Sequence, residues 1–341
     1  MNFAMWKKAL QVIPSVTKEE WDALDIVSKW LIASRAAVLV MTFISAALAG
    51  IFALRDGEFR LLPWLGLALG LVFSHAANNL LNDYTDFVRG VDEDNYFRTQ
   101  YGPQPLAAGL LTRGQLLTYA GITGAIALAF GVALMAANSW DLNILWLLGA
   151  GAFFVLFYTW PLKYIAMGEI AVLLVWGPLM IGGGYYVLAQ SWDWFVVWAS
   201  LPYVLGVTTV IFGKHIDKIE VDRAKHIHTL PVLLGEKLSR FAVLGMMALS
   251  YLIVIALIVM KYFTPVMLVV LLALPTFKQV IPALLKPKPA ERPEDFPAGE
   301  GGWPLYFAPI SFINNRSFGG YFMLGLLADT LLRIFLPSFW I

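Results

Sequence analysis

The sequence predicts an all-α integral membrane protein with nine membrane-spanning helices. Three observations carry that reading. The 341 residues are 59% hydrophobic and only 14% charged, with a mean hydropathy of +0.71; a soluble domain carries about 25% charged residues. Apolar runs of roughly 20 residues, the length needed to cross about 30 Å of hydrocarbon, recur along the whole chain. The charged residues that remain gather at the ends of those runs, most visibly in Asn82-Asp83-Tyr84-Thr85-Asp86-Phe87-Val88-Arg89-Gly90-Val91-Asp92 and in Lys214 to Arg223.

The first 30 residues are polar and mixed in charge, and no cleavable leader is evident in them. Thr17-Lys18-Glu19-Glu20 has the form of a capping box opening a helix that runs past Trp21 and Trp30. An interfacial helix lying on the membrane is the expectation for this segment. Spans follow at about 31–54, 62–83, 116–137, 143–161, 165–190, 194–213, 241–260 and 265–285, forming a core of eight. Residues 286–318, rich in Pro, Gly and charge, read as a solvated connector before a ninth span in 319–341. Of the 24 Lys and Arg, only Arg55, Arg60 and Lys261 fall in the loops of one side, and Arg333 inside the last span. That bias makes the other side, which holds both polar clusters, cytoplasmic. A net charge of +1 gives no argument for nucleic acid. The absence of cysteine excludes disulfides, thiol catalysis and thiolate ligation of metal.

On a helix, His75, Asn79, Asn82 and Asp86 form one stripe, with Asp83 beside it. Gly90 permits a turn that brings Asp92 back over the same point. Carboxylate and amide oxygens at this spacing suit Mg²⁺, a hard ion often held by one or two carboxylates together with substrate phosphates. His75, alone inside a span, is expected to make an interhelical hydrogen bond. Arg98, in the polar loop that follows, has the planar fork that matches phosphate oxygens. In the second cluster, Lys214, His215, Asp217, Lys218, Glu220, Asp222 and Arg223 interleave acids that can hold metal with bases that can hold phosphate. Two acidic clusters at two helix ends point to divalent metal holding a phosphorylated lipid, and they hint at a distant duplication.

These residues resemble the UbiA superfamily of intramembrane prenyltransferases. Asn82, Asp86 and Asp92 match that family's first motif, and the gap from Asp86 to Asp92 is similar to the menaquinone branch, the 1,4-dihydroxy-2-naphthoate polyprenyltransferases. Tyr158-Thr159, Pro161-Leu162-Lys163-Tyr164, Gly168-Glu169-Ile170, Gly177-Pro178-Leu179, Tyr185-Tyr186-Val187, Asp222-Arg223, Thr229-Leu230 and Leu234-Gly235-Glu236 resemble the same branch. The resemblance implies a helical bundle of UbiA type around a cytoplasm-facing chamber, with both acidic motifs facing each other across Mg²⁺ and an allylic pyrophosphate. It implies transfer of a prenyl group from an isoprenyl pyrophosphate to an aromatic acceptor in a multi-pass protein of a bacterial or archaeal cell membrane, with membrane lipid as its surroundings and no protein partner. Asn82, Asp86, Asp92 and Asp222 are then the expected catalytic residues, with Asp86, Asp92, Asp217 and Asp222 as metal ligands. Arg98, Lys163, Lys214, Lys218, Arg223 and Tyr158 are the expected substrate-binding residues. A terpene cyclase of the same type acting on the same donor, or transfer to a non-aromatic acceptor, is the alternative.

The second motif departs from the family's Asp-x-x-x-Asp, because Lys218 stands where the first acid belongs and Asp217 lies one residue earlier. On a straight helix 218 and 222 share a face, whereas 217 and 222 point about 140° apart. Either Asp217 still reaches metal, or Lys218 supplies its own ammonium in place of one metal's charge.

The orientation is checked by labelling single cysteines placed in this cysteine-free chain. Those at Lys225 and Lys288 should react only from the cytoplasm, and one at Arg60 only from outside. Labelling of 225 and 288 from opposite sides would overturn the span count between them.

Overall fold

The computed structural model describes residues 1–91, 104–293 and 303–336, and these are almost entirely helical. Eight of the described helices are long and apolar enough to cross a membrane: α4 (Ala36–Arg55), α5 (Leu61–Val88), α6 (Arg113–Ala137), α8 (Gly168–Ala189), α9 (Trp194–Ile216), α11 (Leu230–Val259), α12 (Pro265–Leu285) and α13 (Phe307–Phe335). Helix α7 (Leu142–Phe157) is equally apolar but has 16 residues. The helices fall into two compact units, Met1–Ala46 with Leu62–Leu162, and Ala47–Leu61 with Lys163–Ile341.

The first unit opens with three short helices, α1 (Phe3–Gln11), α2 (Lys18–Ala23) and α3 (Ile26–Ala33). The capping box expected at Thr17 is present, with Thr17 and Glu20 exchanging side-chain and backbone bonds of 3.2 and 2.8 Å. The helix it opens stops at Ala23, however, because Asp25 caps a new one: its carboxylate accepts from the backbone of Val27 and Ser28 at 3.1 Å each. The same carboxylate accepts from the Asn2 backbone at 2.8 Å and from Trp6 Nε1 at 3.1 Å, which ties α1 to α3. Trp21 is 2% exposed, packed in a core with Ala9, Leu31, Ile32, Leu80 and Leu116. The N-terminal segment therefore packs into the core of this unit through Ala9 and Trp21.

In the second unit, α9 is the most enclosed of the spans. Small residues let its neighbours approach closely, as is usual where helices pack in lipid. A Cβ at Gly182 of α8 would meet Val197 at 2.8 Å, and one at Gly213 of α9 would meet the Phe307 carbonyl and the Ser311 hydroxyl of α13. Helix α8 widens to π geometry over Val175–Gly182, around Pro178, which has no backbone N–H to give to the ladder. Helix α11 begins at Leu230 and bends at Gly235, whose φ of +75° only glycine adopts without cost.

Several boundaries differ from the sequence reading: the second helix runs on to Val88, and the seventh begins at Leu230 and not at 241. The fourth apolar helix ends at Phe157, after which the chain turns through Leu162–Tyr164. The last helix begins at Phe307 and not at 319, because a carboxylate from another helix, Asp217, meets its first N–H groups. Arg333, inside that helix, pairs at 3.1 Å with Asp329, and Asp329 also accepts from the Thr264 backbone at the start of α12 at 2.6 Å. An ionisable residue in a span needs such a partner.

Gly213→Leu should therefore force α9 and α13 apart and destabilise the protein by about 2 kcal/mol or more, the cost of overpacking a tight contact. A lowered unfolding temperature in detergent is the expected readout, while the same change at Gly149, where a Cβ meets nothing within 4 Å, should leave it nearly unchanged.

Candidate active site

The first motif occupies the last turns of α5. His75 meets the Thr42 hydroxyl at 2.7 Å, an interhelical bond and not a ligand position. The Asn79 amide donates to the Ser34 carbonyl and the Asn78 amide to the Val155 carbonyl of α7, both at 2.9 Å. These bonds hold the rotation of α5, and so the direction of the residues one and two turns later. Asp83, fully buried, accepts from Arg35 at 3.4 Å and from the Leu106 backbone at 3.3 Å, which fixes the chain that returns after the motif. Asp86 is fully buried and Asn82 half-buried, one turn apart on one face.

The helix is closed by a paired-bond cap. The Val91 N–H donates to the Asp86 carbonyl at 2.9 Å and the Gly90 N–H to the Phe87 carbonyl at 3.1 Å, with Gly90 at φ +68°. This Schellman arrangement explains the glycine, since the residue after the cap must be left-handed. Arg89 lies over the Trp160 ring at 4.6 Å, and Arg113 over Phe87 at 5.3 Å. Asp92 and Arg98 lie outside the described residues.

The second motif lies at the end of α9 and in α10 (Ile219–Ala224). It ends in the same paired-bond cap: Ile227 N–H donates to the Asp222 carbonyl at 2.8 Å and His226 N–H to the Arg223 carbonyl at 3.1 Å, with His226 at φ +55°. Lys218 Nζ stands 3.0 Å from Asp222 Oδ1, the two residues being 2% and 0% exposed. The other carboxylate oxygen, Asp222 Oδ2, is buried without a hydrogen-bond partner. Lys214 sits half-buried on the last turn of α9. Arg223 turns away to the exposed Glu220, at 2.9 Å, an ion pair of the weak surface kind.

Asp217 does not join this group. Both of its oxygens serve the backbone of α13, accepting from Tyr306, Phe307 and Ala308 at 3.0 Å each. The structure gives Asp217 a capping role beside the metal-binding one expected for it: an anion at a helix N-terminus satisfies N–H groups that have no partner within the helix. Burial pushes the Asp217 carboxyl up to about 6, against the pull of the three N–H donors and of Lys288, whose ammonium lies 3.9 Å away. Lys288 also donates to the Pro304 carbonyl and lies over the Trp303 ring, so the chain on both sides of the 294–302 segment meets at Asp217.

Lys163, 5% exposed, lies on the turn before α8, where Gly168 packs against its Cα. That turn is joined to the chain just after the second motif by a single parallel bridge from Ile165 to His228. Glu169 secures the junction: it meets His215 Nδ1 at 2.6 Å and accepts from the Leu230 backbone at 3.4 Å, which links the starts of α8 and α11 to the end of α9. The sequence places His215 among the bases of the second cluster and Glu169 in a family-like segment, but no local spacing pairs the two. Tyr158 caps α7 and is half-buried in the first unit.

Oxygen donors and neutralising bases thus gather at helix ends in both units. Among the described residues, no three His, Asp or Glu side chains converge to hold a metal unaided. Asn82 and Asp86 nevertheless fit Mg²⁺, which keeps waters and phosphate oxygens and needs only one or two carboxylates from the protein.

Such a structure defines a helical membrane protein with paired acidic motifs, and comparison with known proteins places it more narrowly. Residues 43–294 match the model of the UbiA prenyltransferase family, and the chain belongs to that family. It is 27% identical over 212 residues to a UbiA prenyltransferase domain-containing protein 1 homolog of Drosophila melanogaster, covering 60% of this chain and 56% of that protein. It is 25% identical over 207 residues to the 1,4-dihydroxy-2-naphthoate octaprenyltransferase of Bacillus subtilis, covering 60% of this chain and 65% of that protein. The matches to these two therefore span between half and two thirds of the relatives' length. A solved structure of digeranylgeranylglyceryl phosphate synthase shares the fold, with a TM-score of 0.60 at 16% identity over 89% of this chain and 98% of that one. A UbiA homolog from Archaeoglobus fulgidus bound to GPP and Mg²⁺ gives 0.50 at 15% identity, over 85% and 99%.

Asp217→Ala should cost at least about 2 kcal/mol of stability, since it leaves three N–H groups without their acceptor. The loss should appear as a lowered unfolding temperature in detergent, of the same size with and without Mg²⁺. A stability loss seen only in the presence of Mg²⁺ would return Asp217 to the metal.

Proposed function

We propose that the protein transfers a prenyl group from an allylic (poly)prenyl pyrophosphate to an aromatic acceptor, with Mg²⁺, in the synthesis of quinone-type lipids. The observation that carries this reading is the Asn82–Asp86 pair on one face of α5, at a buried helix end closed by the Gly90 cap, in a chain of the UbiA prenyltransferase family. Its likeness to a 1,4-dihydroxy-2-naphthoate octaprenyltransferase supports a naphthoate-type acceptor.

The reaction breaks the bond between the allylic carbon and the pyrophosphate oxygen, which leaves a carbocation and a strongly charged leaving group. Mg²⁺, when bound, supplies charge that stabilises the departing pyrophosphate. Asp86 and Asn82 would hold it, with Asp92 completing the set. Asp86 is fully buried, and charge stabilisation of this kind acts most strongly where water is excluded. In the second unit, Lys163 and Lys214 carry compact point charges of the kind that suits phosphate oxygens. The Asn78 and Asn79 bonds keep α5 from rotating, so that its motif is preorganised. Tyr158 offers a ring face to the cation, an attraction of about 0.5–2 kcal/mol. The carbocation is then captured by the acceptor ring, which restores its aromaticity by giving a proton to the released pyrophosphate or to water.

Asp86→Asn should lower turnover by at least ~100-fold, as removal of a main charge stabiliser does. Chelation should abolish activity and added Mg²⁺ restore it. Purified protein given geranylgeranyl or longer pyrophosphate and Mg²⁺ should release little pyrophosphate until a dihydroxynaphthoate-type acceptor is added. Steady release without acceptor, with a cyclic hydrocarbon or terpene alcohol as product, would overturn transfer in favour of cyclisation.

A further inference from the structure

The two motifs are built on the same turn. Asp86 and Asp222 each offer their carbonyl to the residue five positions on; Gly90 and His226 take the left-handed position; Val91 and Ile227 follow, both buried. Aligned on this turn, Asn82 and Lys218 hold the same place, four residues before the acid. In the first unit that place carries an amide. In the second it carries a buried ammonium, 3.0 Å from the acid's Oδ1. The motif's other acid is spent on the backbone of α13. Among the described residues of the second motif, what remains for a metal is one carboxylate that already faces an ammonium, with one oxygen, Asp222 Oδ2, that has no hydrogen-bond partner.

This set does not fit a divalent ion. A cation bound through Asp222 would stand beside the Lys218 ammonium in a buried site, where like charges repel strongly, and among the described residues of this motif the other acid, Asp217, is engaged by the backbone of α13. We infer that Lys218 is a built-in cation: its ammonium takes the charge position of a metal in the second motif, so that the second unit binds no Mg²⁺ of its own. The inference rests on the prenyltransferase reading for the identity of the metal, and on the Lys218–Asp222 pair for its content. A fixed ammonium also makes this half of the machinery independent of metal concentration, in contrast to the Asn82–Asp86 half.

Mn²⁺ bound per chain, counted by electron paramagnetic resonance in detergent with a non-ionisable geranyl thiolodiphosphate, tests it. The wild-type count should be unchanged by Asp222→Asn and should rise by one in Lys218→Asp, which restores two acids one turn apart. Lys218→Met, similar in length and uncharged, serves if the aspartate variant does not fold, and should likewise admit an extra Mn²⁺ at Asp222. Loss of one Mn²⁺ in Asp222→Asn, or no added Mn²⁺ in a folded Lys218 variant, would overturn the inference. Asp86→Asn should lower the count; if it does not, the metal assignment of the proposed function fails while the conclusion about Lys218 is judged by its own variants.

Discussion

Hydrocarbon offers no water to a buried polar group, so each one must find its partner inside the protein. That constraint sorts the acids of this chain. Asp217 and Asp329 are spent on the first N–H groups of α13 and α12. Asp83 is held by Arg35 and the Leu106 backbone, and Glu169 by His215 and the Leu230 backbone. Each of these carboxylates joins segments far apart in sequence; Asp83 secures the end of α5 that carries Asp86, and Asp217 and Glu169 secure the chain around Asp222. The scaffold is thus made from the same residue types as the site.

The two motifs show how one local form can carry two electrostatic solutions. A Schellman turn after each acid presents the carboxylate at the last turn of its helix and sends the chain sharply away. Gly90 adopts the left-handed position freely, whereas His226 does so at some cost. The difference that matters lies one turn earlier, where an amide in one unit answers to an ammonium in the other. An amide adds an oxygen to a metal's shell; an ammonium repels the metal and neutralises the acid.

Small residues decide how closely the second unit can pack. Gly213 lets α9 touch the backbone of α13 at the point where Asp217, four residues later, meets the first N–H groups of that helix. The close approach and the cap reinforce one another. Restoring a side chain at Gly213 would move the helix whose start Asp217 secures.

Much of this was legible in the sequence. Hydrocarbon thickness sets the length of an apolar run, so the all-helical membrane class and the places of eight long apolar helices could be read from the sequence. The backbone geometry of a helix puts Asn82 and Asp86 on one face, and the need for a left-handed residue singled out Gly90. The capping box at Thr17 was legible for the same reason, since both partners lie within four residues. What only the tertiary structure decided was the employment of each acid. Spacing allowed Asp217 to be a metal ligand, and nothing local announces that its partners are the backbone of residues 306–308. The same holds for Asp25, whose carboxylate caps α3 and also ties it to α1 through Asn2 and Trp6, and for Glu169 with His215. A short-range pattern records the helix a residue belongs to. The charge or N–H that a buried carboxylate meets is set by packing between distant segments, and no local periodicity encodes it.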